Sequence, residues 1–259
     1  VQVVKSSTIS DLKVLADTEL NIASGETLSG STEIASDATL KLSGTGTFGS
    51  MIDLEGTLEA GANLTVSGRI SVGGNSATVS IPAANTTLSY TGGTINVGAH
   101  TLSIGGAGTF QIHYMRGLVL DVADSILNLT GSGTISGPVK LENGTVKSTG
   151  SPTISLYGSL WYQKPALLAD LTIDVTTGQT LTYANPFVTN GEYNGLSVGA
   201  NTLTLSGGGT FNNTTALLLN NADSLLSLEG IGTIGGVQAT VNASSGKGIQ
   251  VVESATLGS

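Results

Sequence analysis

Two small groups of acids have residue types that could support acid–base chemistry. Asp121 and Asp124 stand close in sequence to His113, Tyr114 and Arg116, and Asp170 and Asp174 form a second pair. Glycan-cleaving sites need paired carboxylates, or a carboxylate–metal cluster with a basic group, converging on one face. Spacings of three and four residues fix no such geometry on strands or corners. Asp124 and Asp223 also sit in matching Ala-Asp-Ser stretches, as expected of a recurring turn. The expectation is no catalytic residue and no enzyme.

Metal and phosphate chemistry fare no better. Asp53 and Glu55, with Glu59 nearby, supply the hard oxygen ligands that Ca²⁺ takes, but a glycine-rich calcium repeat places Asp after its glycines and this chain places Thr. Isolated surface acids are the expectation. Neither His100 nor His113 has a partner at metal-ligand spacing, and His100 matches Asn201 within Gly98-Ala-His-Thr101 and Gly199-Ala-Asn-Thr202, so it reads as a turn residue. Gly105-Gly-Ala-Gly108 lacks the Lys-Ser/Thr ending of a phosphate loop. No metal and no cofactor are expected.

The aromatic residues are a candidate binding set. Tyr157, Trp161, Tyr162, Tyr183 and Tyr193 cluster in the least regular stretch of the chain, and rings that pack while their polar atoms stay wet suit sugar stacking. The alternative is that they fill a wider part of the core. Thr pairs at Thr86-Thr87, Thr176-Thr177 and Thr214-Thr215 raise ice binding, but their irregular spacing implies no aligned ladder. Sequons at Asn63, Asn128 and Asn143 are what chance gives in a chain rich in Asn and Thr.

The elements that must position these residues come from one template: apolar, any, apolar, any, Gly, any, Gly, Thr, apolar. It fits Leu40–Phe48, Leu102–Phe110, Leu127–Ile135, Leu203–Phe211 and Leu226–Ile234. Leucines two apart point to one strand face. The glycines permit a sharp bend, including positive φ, and Thr followed by a large apolar residue opens a second strand. The unit is strand, corner, strand. One copy is too small to bury its own leucines, so copies must stack.

Intervals of about 19 to 25 residues between copies suit a solenoid. The predicted fold is all-β: a single-chain parallel β-helix of roughly eleven coils over residues 1–259, less regular and aromatic-rich at about 155–195. Steps of 12 residues from Leu28 to Leu40 and 14 from Leu88 to Leu102 are too short for a coil. Either the motif serves more than one side, or some coils are short. Pro165 and Pro186 belong to corners or edges, because they cannot donate to a ladder.

Composition excludes several functions. With 37 Gly, 10% charged residues, a net charge of -9 and no cysteine, the chain has no disulfide or thiolate chemistry and no phosphate-tracking groove, so nucleic acid is not an expected partner. Mean hydropathy is +0.25, yet no apolar run reaches membrane-spanning length, and no membrane insertion is expected. No signal peptide is expected at Val1, so an exported protein would be present here as a mature form or an internal fragment.

The two ends match. Val1-Gln-Val-Val-Lys-Ser-Ser-Thr-Ile9 aligns with Ile249-Gln-Val-Val-Glu-Ser-Ala-Thr-Leu257. Uncapped solenoid ends are templates for pairing. Val1, Val3 and Lys5 on one end, with Ile249, Val251 and Glu253 on the other, are the candidate self-assembly residues, Lys5 lying near Glu253 of the next copy. The alternative is convergence of two strands on one common pattern.

The LTLSGGGTF, LNLTGSGTI and TLKLSGTGTF blocks resemble the strand repeats of bacterial autotransporter passengers and related haemagglutinin-type adhesins. That resemblance implies a right-handed parallel β-helix, export to the bacterial cell surface, and an adhesive or structural role. The leading expectation is a non-enzymatic extracellular surface element that pairs with itself head to tail. A glycan-binding or polysaccharide-degrading β-helix is the alternative, and a phage fibre segment the third reading.

Overall fold

The computed structural model describes residues 1–74, 76–113, 117–141, 143–157, 167, 170–184, 196–213, 216–235, 240–242 and 248–257, with backbone alone at 140–141, 155–157, 184 and 240–242. Pro165, Pro186, Tyr114, Arg116, Trp161, Tyr162, Tyr193 and the pair Thr214-Thr215 lie outside the described residues. Every regular element described is a strand, and every strand-to-strand ladder is parallel. The chain is an all-β parallel β-solenoid.

The coil through residues 101–129 shows how the sequence builds it. Thr101–Gly106 forms one side, Thr109–Ile112 the next and Leu118–Leu120 the third, and Ile126–Leu129 then lies against the first. The alternating pattern puts Leu102, Ile104, Phe110, Ile112, Leu118 and Leu120 inside, each no more than 6% exposed. They join one core that runs from Val3 to Ile234. Parallel neighbours need a crossover, and the other two sides of each coil supply it.

Twelve strands stack on one side, from Gln2–Val3 to Gly248–Val251, and a second sheet of sixteen strands wraps over the other two sides, Thr134–Leu141 pairing with Thr109–Ile112 on one and Leu118–Leu120 on the next. The rung count on the first sheet therefore differs from the expected eleven coils. The interval also varies more widely than 19 to 25. Thr39 pairs with Thr57, 18 residues on, and Leu171 with Leu203, 32 residues on. Corner length is free to vary because only the strands stack.

The short intervals have a plain cause. Leu28 and Leu88 lie in the sixteen-stranded sheet, Leu40 and Leu102 in the twelve-stranded one. The motif serves two sides of the coil.

Rung alignment of the motif copies needs a correction. Leu102 pairs with Leu127, and Leu203 with Leu226, as the template requires. Yet the column from Leu127 runs through Val146 and Ile173 to Leu205, not Leu203. On the other sheet, the column from Ile135 runs through Ile154 and Tyr183 to Asn213, not Phe211. Both sheets shift by two residues across the same stretch, where the repeat pattern breaks. An even shift keeps inward residues inward, whereas a shift of one would expose them.

The two template glycines have different functions. Gly207 has φ of 96° and turns the chain through the left-handed region. Gly209 shows no such φ. A Cβ there would collide with the Thr176 carbonyl oxygen of the rung below, so its constraint is close approach.

Candidate functional site

The acids singled out from the sequence are parts of the corners. Asp170 Oδ1 accepts the Thr202 backbone N–H at 2.7 Å, and Asp121 Oδ1 accepts that of Gly98 at 3.0 Å. Asp17 does the same for Thr39, and Asn63 for Thr87. In each case a side chain at one corner caps a backbone donor of a neighbouring coil. This gives one oxygen of each aspartate a structural role. Asp174 lies in register with Lys147, and one of its oxygens would collide with a Cβ at Gly207.

The Ala-Asp-Ser corners are equivalent in space. Ser125 Oγ donates to Gly98 O at 2.6 Å, and Ser224 Oγ donates to Gly199 O at 2.5 Å. Ser125 Oγ accepts the Val122 N–H and Ser224 Oγ that of Asn221. Both serines are fully buried, while Asp124 and Asp223 stand exposed at the tips. His100 and Asn201 are matching turn residues too: their carbonyls accept Ile126 N and Leu225 N, both at 3.0 Å. Asn201 Nδ2 also donates to Leu167 O at 2.8 Å. His113 is exposed beyond the strand Thr109–Ile112.

The acids weighed for calcium are spread over two sides of the coil. Asp53 belongs to Met51–Leu54 in the sixteen-stranded sheet, and Glu59 belongs to Thr57–Ala60 in the other, 4.0 Å from Lys41 Nζ. Glu55 lies in the corner between them. Among the described residues, no three of His, Asp and Glu converge as a metal site.

The aromatic set is corrected at Tyr183. Its ring is 3% exposed and packs against Phe211 in the core, with centroids 6.5 Å apart. Burial pushes its phenol pKa far above the ordinary range. Such a ring offers no face to a sugar. The signal was present: Tyr183 stands two residues after the inward Leu181, as Tyr90 stands after Leu88, and Tyr90 is also fully buried. Tyr157 ends the strand Thr153–Tyr157 and is described by its backbone alone.

The end residues are uncovered. Val1 is 82% exposed, while Val3 is packed over Ile22 at 9%. Ile249 and Val251 lie in register over the buried Leu226 and Leu228, and are 41% and 61% exposed. Leu257 is 63% exposed over Ile234. Both ends present the same unit: a strand on the twelve-stranded sheet, a corner carrying Lys5 or Glu253, and a strand on the sixteen-stranded sheet.

The outward face of the sixteen-stranded sheet escaped the sequence reading. The template threonines stack there in columns: Thr27, Thr47 and Thr65; then Thr87, Thr109, Thr134, Thr153 and Thr182; then Thr180, Thr210, Thr233 and Thr256. Of the Thr pairs weighed in the sequence, Thr87 stands in this ladder. Thr86 is buried, and Thr176 and Thr177 lie at a corner.

Comparisons with family models, curated proteins and solved structures find no match to this chain.

Proposed function

We propose that this chain is a non-enzymatic, extracellular structural or adhesive β-solenoid, whose end rungs pair copies head to tail. The observation that carries this reading is the pair of uncovered ends. Each presents exposed apolar residues that continue a core column. A second copy would cover both at once, extending the parallel ladder and burying Val1 with Ile249 and Val251. The corner charges are of opposite sign, and an exposed Lys5–Glu253 pair would select register more than add strength. The likeness of the repeats to autotransporter and haemagglutinin-type passengers supports a bacterial surface location. Capture of the acids by corner backbone supports a role without catalysis.

Electron microscopy of the purified chain at rising concentration tests the assembly. Filaments one solenoid wide are expected, and Val251→Lys, at an exposed position, should reduce them to single rods. Rods that remain single at every concentration would overturn the head-to-tail reading.

A further inference from the structure

We propose that the side of the sixteen-stranded sheet that carries the threonine columns is, on its outward face, an ice-binding surface. A single Thr on a strand is an ordinary surface residue. Here the ladder sets one on each successive rung, at the strand spacing of about 4.8 Å, in runs of three, five and four. Each contributes a hydroxyl, which donates and accepts, together with a methyl group. The β-branched side chain has few χ1 choices, so the two groups are held in place without loss of much rotamer freedom.

A second column runs beside the central one, two residues along each strand, or about 6.6 Å away. Ser89, Gln111 and Ser136 flank Thr87, Thr109 and Thr134, and Asn212 continues the line of Thr182 beside Thr210. Bonds between rungs hold these groups in place: Ser89 Oγ donates to Gln111 Oε1 at 3.3 Å, and Asn212 Nδ2 donates to Thr182 Oγ1 at 3.4 Å. The result is a two-dimensional array of polar points, with both repeats close to the oxygen rows of hexagonal ice.

Charge identifies the occupant. From Thr87 to Thr256, the threonine columns and the positions two residues along from them carry no charge, and Lys140 lies at the far end of Thr134–Leu141, in register with Val119 on the next side of the coil. Lys13, Glu33 and Asp53 are confined to a neighbouring stripe near the first rungs. An uncharged lattice of water is complementary to an uncharged lattice of hydroxyls, and a bridging water costs little to immobilise. A crystalline polysaccharide fits less well. It is normally gripped by exposed rings, and the described rings of Phe48, Tyr90, Phe110, Tyr183 and Phe211 all point into the core.

The test is partition of the 259-residue chain into slowly grown ice, read beside thermal hysteresis. Three proteins are compared: the unaltered chain, Thr134→Lys with Thr210→Lys on this face, and Thr57→Lys with Thr172→Lys on the other sheet. All positions point outward, and a thermal melt of each confirms the fold. The unaltered chain and the second variant should enter the ice, and the first should be excluded from it. Exclusion of the unaltered chain, equal loss in both variants, or binding to crystalline chitin or cellulose in place of ice would overturn the proposal.

Discussion

The two long sheets are alike on the inside and unlike on the outside. Inward, both stack Leu, Ile, Val and Phe in columns that share one core. Outward, the twelve-stranded sheet mixes charges among its polar residues, with Glu19, Lys41 and Glu59 in successive register and Lys147 beside Asp174. The sixteen-stranded sheet lines up threonines. Strand alternation separates the two demands: inward residues define the fold, and outward ones are left to interact with solvent or a partner.

The largest contrast comes from two neighbours on one strand. Phe211 is 1% exposed and Thr210 faces out. Phe211→Ala should cost about 3–5 kcal/mol in chemical denaturation. Thr210→Ala should stay within about 0.5 kcal/mol of the unaltered chain. Equal effects would break the division between inside and outside.

A smaller effect is expected at the corners, which both sheets share. Asp170→Ala removes the acceptor of Thr202 N–H at an exposed position, and should cost on the order of 1 kcal/mol. Asp170→Asn keeps an acceptor oxygen and should restore most of it. A loss of stability from alanine that asparagine does not restore would argue against the backbone-capping role.

The smallest effect belongs to the charged stripe. Lys13 Nζ lies 3.0 Å from Glu33, and the bond to that carboxylate raises the lysine pKa. A raised folded-state value stabilises below the unfolded lysine value, and the contribution is lost as pH rises through the folded one. Both groups are largely exposed, so Glu33→Gln should leave the melting temperature nearly unchanged at neutral pH. A large change would show the pair to be less screened than its exposure implies.

Much of the inside was legible in the sequence. Leu203 and Leu205, two apart before a glycine corner and a Thr-Phe strand, carry the whole strand–corner–strand unit. The two-residue register shifts were not legible, because an even shift preserves the alternation and leaves no mark on the pattern. The threonine columns were hidden for a related reason. Their spacing along the chain varies with corner length, 22 residues from Thr87 to Thr109 and 25 from there to Thr134, while stacking sets them side by side. The uses of Asp121 and Asp170 were equally hidden, since their partners Gly98 and Thr202 lie 23 and 32 residues away.

Stacking of parallel rungs is the claim beneath all of this, and a distance measured between two spin labels tests it most directly. The chain has no native cysteine, so Thr39→Cys with Lys147→Cys labels only the intended sites. One column of the twelve-stranded sheet joins them through Thr57, Thr78, Ser103 and Asn128. Five steps at the strand spacing place the two backbones about 24 Å apart. A narrow distribution centred near that value is the predicted result; a broad one, or one centred well away from it, would contradict the stacked solenoid.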